Sequence, residues 1–175
     1  MRNPPLKKLL PLLAVAAVTL VGCNPPPTGP SLAPGGQSVP SSGRIMSGTV
    51  QGAKLGATTK IALSGSFTNG QGGKIDALGR PITGDATVIA SVPVKEGKYA
   101  MDLPAVPVGA VAGGFEVLAY NDANNNSTID EGEYKAKGNG SQIVFAAVLG
   151  YNVLNTTATA LTDALALDKV NVVFN

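Results

Sequence analysis

The chain has 175 residues, 44% hydrophobic and 14% charged, with 22 glycines, 13 prolines, one cysteine and neither histidine nor tryptophan. That suits one modest domain, and it excludes a disulfide scaffold and every chemistry that needs an imidazole. The formal net charge of +2 is local: Arg2, Lys7 and Lys8 lie at the extreme N-terminus, and without residues 1–22 ten Lys and Arg face eleven Asp and Glu, a net charge of −1. No basic patch is left to neutralise phosphates, so nucleic acid is not an expected partner.

Met1 to Lys8 is a short basic stretch, and Leu9 to Val21 is a mostly apolar run. A membrane-spanning helix needs about 20 apolar residues, so this run suits the hydrophobic region of a signal peptide better than a permanent span. It ends in Leu20-Val21-Gly22-Cys23, which resembles the lipobox of bacterial lipoproteins. The resemblance implies cleavage before Cys23, a lipid on its sulfur and attachment to a membrane of the bacterial envelope on its exported side. Asn24 is not the aspartate that marks inner-membrane retention in the best-known sorting system, which points to the outer membrane or cell surface. A free thiol or an intermolecular disulfide is the alternative for this lone cysteine.

Residues 24–43 hold six Pro, four Gly and four Ser with no charge. They are expected to be a tether that packs against nothing, reaching about 60 Å if polyproline-like and nearer 25 Å as a coil. Residues 44–175 are then one folded domain.

Within it, Ile61 and Leu63 alternate with Lys60 and Ala62; Tyr99, Met101 and Leu103 with Lys98, Ala100 and Asp102; Val170, Val172 and Phe174 with Lys169 and Asn171. A period of two is that of half-buried strands in antiparallel sheets. Strands are predicted near Ile45–Gln51, Thr59–Gly65, Ala86–Val94, Lys98–Leu103, Phe115–Tyr120, Gln142–Leu149 and Lys169–Phe174. Glu96-Gly97 reads as a hairpin turn with Gly97 at positive φ. The glycine-rich stretch 66–84 reads as a long exposed loop or a weak hairpin. Thr156 to Ala166 fits a helix and a strand equally.

About seven short strands with frequent turns predict an all-β fold, a two-sheet antiparallel β-sandwich. The opening Ile45-Met46-Ser47-Gly48-Thr49-Val50, the turn Glu96-Gly97-Lys98-Tyr99 with its strand ending Leu103-Pro104, and the strand Phe115–Tyr120 running into an acidic loop resemble the prealbumin-like modules of bacterial surface proteins. Carboxypeptidase-regulatory-like and SdrD B-like domains are of this kind, and the resemblance implies fold alone.

That acidic loop is the constellation with chemistry. Aligned as a 12-residue calcium loop, it puts Asp122, Asn124 and Asn126 at positions 1, 3 and 5, the Thr128 carbonyl at 7, Asp130 at 9 and Glu133 at 12. Alternate oxygens on a tightly turning backbone converge on one centre, and calcium takes six to eight of them. Ile129 stands at position 8, where such loops place an aliphatic residue. Position 6, usually glycine, is Ser127, which has either to take a left-handed conformation there or to use a different turn. The preceding segment reads as strand, so a structural Ca2+ in a loop between strands is expected, not an EF-hand. A plain Asx-rich turn is the alternative. Four of the 11 acidic residues fall in this window with no Lys or Arg among them, so the cluster repels itself unless a cation is present. The loop is expected to be separable from the β core.

Ser-x-x-Lys, Gly-x-Ser-x-Gly and Gly-Lys-Ser/Thr motifs are absent from the sequence. Asp76, Asp85, Glu96, Asp102 and Glu116 leave a carboxylate pair for hydrolysis as a distant option. The expected protein is a non-enzyme: a lipid-anchored envelope module with a structural or interaction role, partnered by the membrane and an unidentified envelope protein or surface ligand. A small-ligand or glycan-binding module is the alternative.

Overall fold

The computed structural model describes residues 28–84, 87–148, 151–152, 158–159 and 170–175, with side chains for 28–84, 87–138 and 170–175. The strands are β1 (Leu32–Ala33), β2 (Gln37–Ser38), β3 (Ser41–Gln51), β4 (Thr59–Asn69), β5 (Lys74–Ile75), β6 (Thr87–Pro93), β7 (Lys98–Pro104), β8 (Ala110–Asn121), β9 (Lys135–Val148), β10 (Tyr151–Asn152), β11 (Ala158–Thr159) and β12 (Val172–Val173). One sheet has the order β10-β9-β8-β4-β6-β1-β2, with β5 beside β4 and β11 beside β9; the other is β12-β3-β7. This is the all-β, two-sheet fold expected from the alternation. Pairings among the long strands are antiparallel, whereas β11 on β9 and β12 on β3 are parallel.

The core lies between the sheets. β4 contributes Ile61, Leu63 and Phe67, β7 contributes Tyr99, Met101 and Leu103, and β8 contributes Phe115, Val117 and Ala119. Each set follows the period of two that puts alternate side chains on one face. Phe67 and Phe115 meet edge to face at 4.8 Å. Gly65 leaves room for the Phe115 ring, since a Cβ there would lie 2.9 Å from it and 2.0 Å from the Gly114 carbonyl oxygen. Phe174, fully buried, closes one end, its N–H donating to the Gln51 carbonyl at 2.6 Å.

Four expectations change. First, Glu96-Gly97 is a tight turn with positive φ at both residues (51° and 69°), but the strands it joins lie in different sheets. Lys95 and Lys98 exchange backbone hydrogen bonds at 2.9 Å, but the Val94 N–H donates to the Thr59 carbonyl of one sheet and the Gly97 carbonyl accepts the Val50 N–H of the other, so β6 and β7 diverge. Second, β9 begins at Lys135, well before the predicted Gln142, because β8 pairs with it back to Tyr120. Third, of the two readings of stretch 66–84 the hairpin holds and the exposed loop does not: Phe67 pairs with Ile75, and Ile75, Asp76 and Ala77 are buried.

Fourth, the chain from residue 28 onward is no free tether. Leu32 pairs with Ser91 on the edge of β6, Gly29 bridges Met101 of β7, and Ala33 and Val39 enter the core. A composition argument weighed side chains, whereas these residues are held largely through backbone groups on open strand edges, which any residue with a free N–H or C=O supplies. Most of 156–166, and residues 86, 149 and 169 of the predicted strands, lie outside the described residues.

Candidate functional site: the loop after β8

β4 runs beside β8 with Thr59 opposite Asn121, and the Asp122 N–H donates to the Thr58 carbonyl at 3.0 Å. The chain then folds over the outer face of the larger sheet, where Ile129 packs on Ala62, Val88 and Tyr120. This cover explains why β4 is buried on both faces over Thr59–Leu63.

The loop is built around Asp122, 1% exposed. One carboxylate oxygen accepts the Asn126 N–H at 3.0 Å and the other the Ser127 N–H at 2.9 Å. These bonds wind the backbone tightly, with Asn125 and Ser127 at φ 57° and 60°. The left-handed Ser127 that the calcium-loop alignment allows is therefore present. The next turn repeats the pattern: Asn124 Oδ1 accepts the Asn126 N–H at 3.2 Å and Asn126 Oδ1 the Thr128 N–H at 2.8 Å. Glu133 closes the ring, its two oxygens accepting the Ala123 and Asp130 N–H groups at 3.0 Å each. Asp130 Oδ2 receives the amide NH2 groups of both Asn124 and Asn126 at 2.8 Å.

Five of the six residues at ligand positions thus turn toward one another, and Thr128 follows on the same backbone turn. Their chemistry fits a hard cation: three carboxylates, two amides and a carbonyl, all oxygen donors. Both amide oxygens are engaged by backbone N–H groups, which fixes their NH2 groups toward Asp130. The calcium-loop alignment names Asp122, Asn124, Asn126, Thr128, Asp130 and Glu133 as ligands; among the described residues no group of three acidic side chains stands close enough to share a metal ion.

One partner lay outside the sequence window. Lys60 Nζ sits 2.6 Å from Asp122 Oδ2, with side chains 9% and 0% exposed, and also donates to Asn125 Oδ1 at 2.7 Å and Ser127 Oγ at 3.2 Å. The inference that the acidic cluster needs an outside cation therefore fails for Asp122, because β4 supplies an ammonium. Nor is the loop separable from the core, since Asp122 and Lys60 bind it to the central strand. Its Asn126 carbonyl also accepts the Gly35 N–H at 2.9 Å, which joins it to the N-terminal segment.

Beside the loop, the buried Tyr120 hydroxyl has no hydrogen-bond partner among the described residues. Burial raises its pKa well above the usual tyrosine value, and the charges of Asp122, Glu133 and Asp130 add to the rise. Ser91 offsets part of it by proximity, its own hydroxyl donating to the Leu32 carbonyl at 3.3 Å.

The carboxylates named for hydrolysis lie elsewhere. Asp76 caps its own turn, accepting the Leu78 and Arg80 N–H groups at 2.9 Å and pairing with Arg80 at 2.7 Å. Glu116 pairs with Lys137 across β8 and β9 at 2.9 Å. Glu96 is exposed at the turn tip and Asp102 stands on β7. Asp85 and Cys23 lie outside the described residues.

Two surface clefts are notable. One of about 270 Å³ lies between Thr28, Lys95, Lys98 and Tyr99. The other, about 490 Å³, is at the far end of the sandwich between Pro40, Leu78, Val106 and Val108. Set against protein-family models, curated proteins and solved structures, the chain matches none of them.

Proposed function

We propose that the protein is a non-catalytic, lipid-anchored module of the bacterial cell envelope, with a structural or interaction role and a loop that takes one calcium ion weakly. The observation that carries the anchor is the sole cysteine, Cys23, placed at the end of a basic and then apolar segment in the order of a lipobox. Acyl chains contribute about 0.8 kcal/mol of membrane affinity per buried methylene, and two or more hold a protein stably. Mass spectrometry of the membrane-extracted protein is expected to find residue 23 as the N-terminus with a diacylglyceryl adduct. Cys23→Ser should leave an unprocessed precursor; an unmodified Cys23 in the wild-type protein would end the lipoprotein reading.

Support for calcium comes from the left-handed residues Asn125 and Ser127, which wind the loop tightly enough to bring the side chains of Asn124 and Asn126 onto Asp130. Lys60 holds the affinity down, because a divalent ion entering beside Asp122 meets a fixed ammonium. The expected Kd is in the extracellular range, about 10⁻⁴ to 10⁻³ M. At ten times Kd, binding contributes about 1.4 kcal/mol, a rise in Tm of about 3 to 6 °C that equal magnesium does not reproduce. No calorimetric heat up to 10 mM calcium, with an unmoved melting curve, would leave an Asx-rich turn neutralised from within.

A further inference from the structure

We propose that the cleft between Thr28, Lys95 and Lys98 docks on the headgroups of the membrane that holds the lipid on Cys23, so that the β6–β7 turn faces that membrane. The proposal rests on the lipoprotein reading for the anchor itself. Its first support is reach. Only four residues lie between Cys23 and Thr28, where the packed chain has begun, and the five steps from one to the other span at most about 18 Å. The domain therefore has no long stalk; it lies against the lipid surface or within one short step of it.

Direction is the second support. Gly29 bridges Met101 in parallel with β7, so Thr28 lies on the side of Met101 that leads to Lys98 and the turn. The opposite end, where Asn69 pairs with Ala110 and the fully exposed Val108 stands, is the far end from this entry point.

Charge is the third. Lys95 and Lys98 are direct cross-strand neighbours, exchanging both backbone hydrogen bonds, which puts two ammonium groups on one side of a two-residue turn. Like charges so placed repel. Both are exposed, both line the cleft beside Thr28, and neither has an ion-pair partner among the described residues. An anionic group seated between them relieves the repulsion, and lipid phosphates are the anions within reach of the anchor. Glu96 at the tip, and Asp130, Glu131 and Glu133 in the loop after β8, belong to the same end of the sandwich, so the contact is confined to the two lysines and the chain entering beside them.

The test uses the acylated full protein, reconstituted into vesicles of 30% phosphatidylglycerol in phosphatidylcholine, and a membrane-impermeant amine reagent. Each Lys near an anionic surface gains about a fivefold preference for it. Labelling of Lys95 and Lys98 should accordingly slow about fivefold or more relative to the protein in detergent, while Lys74, in the hairpin at the far end, keeps its rate. Lys95→Gln with Lys98→Gln should speed labelling of Lys54, on the neighbouring β3–β4 loop, in vesicles but not in detergent. Unchanged rates at Lys95 and Lys98 with Cys23 acylated would overturn the docking and leave the anchor standing. A protein that fails to enter vesicles and carries an unmodified Cys23 would overturn the anchor, and the docking with it.

Discussion

Replacing Lys60 by methionine removes the ammonium from Asp122 while keeping most of the side chain's apolar volume. In the wild-type protein that ammonium is 2.6 Å from a carboxylate with no exposed surface and makes two further hydrogen bonds to the loop. Asp122 would keep its two backbone N–H donors but lose its counter-charge, and removing one partner of a buried ion pair costs about 3 to 5 kcal/mol. In a domain of this size that is a fall in Tm of about 6 to 20 °C. Asp122→Ala should cost at least as much, since it also strands the N–H groups of Asn126 and Ser127. The double variant Lys60→Met with Asp122→Asn should recover part of the loss, because no buried charge is then left unpaired. Urea unfolding of wild type, Lys60→Met, Asp122→Asn and their double variant, each from residue 24 onward, gives the coupling energy directly. A loss below about 1 kcal/mol for Lys60→Met would show that the pair is solvated and does not hold the loop to the sheet. Calcium adds a second reading: if the loop takes the ion, Lys60→Met should bind it more tightly than wild type and regain stability in its presence.

Burial also holds the Tyr99 hydroxyl protonated well above the usual tyrosine range, while it donates to the Val170 carbonyl at 2.6 Å. A raised folded pKa contributes stability that is whole below the unfolded value of about 10 and is lost as pH rises through the folded one. Unfolding free energy should therefore fall above about pH 10, by roughly 1.4 kcal/mol per pH unit for this group, and Tyr99→Phe should flatten that part of the profile in denaturant titrations. At neutral pH the same variant should lose about 1 kcal/mol, whereas Tyr120→Phe should be neutral or stabilising in thermal unfolding, because its hydroxyl is buried without a partner. A Cβ at Gly48 would lie 2.0 Å from the Val170 carbonyl oxygen. Gly48→Ala should loosen residues 170–174 and speed carboxypeptidase release of the C-terminus; an unchanged release rate would contradict this packing.

The fold class was legible because alternation is a local property: Tyr99, Met101 and Leu103 face inward whatever else the chain does, since a strand turns every second side chain the same way. The loop was legible for the same reason. Asp122, Asn124 and Asn126 are close in sequence, and of the two turns the alignment allowed at Ser127 the left-handed one is present. Lys60 was not legible as their partner. Its alternation with Ile61 marked it only as a residue on the outer face, and an outer-face lysine is ordinarily solvated. Whether that face meets water or a folded-back loop is decided by pairing Thr59 with Asn121, a contact across 62 residues that no local pattern encodes. The N-terminal segment was misjudged on the same ground. Proline, glycine and serine have little side chain to bury, but the open edges of β6 and β7 bind backbone, and those edges exist only once the sheets have formed. Sequence by itself thus determined the strands, their inward faces and the spacing of the loop's polar residues. Tertiary structure decided which charge the loop meets and how short a chain joins the domain to Cys23, because both depend on surfaces assembled from distant parts of the chain.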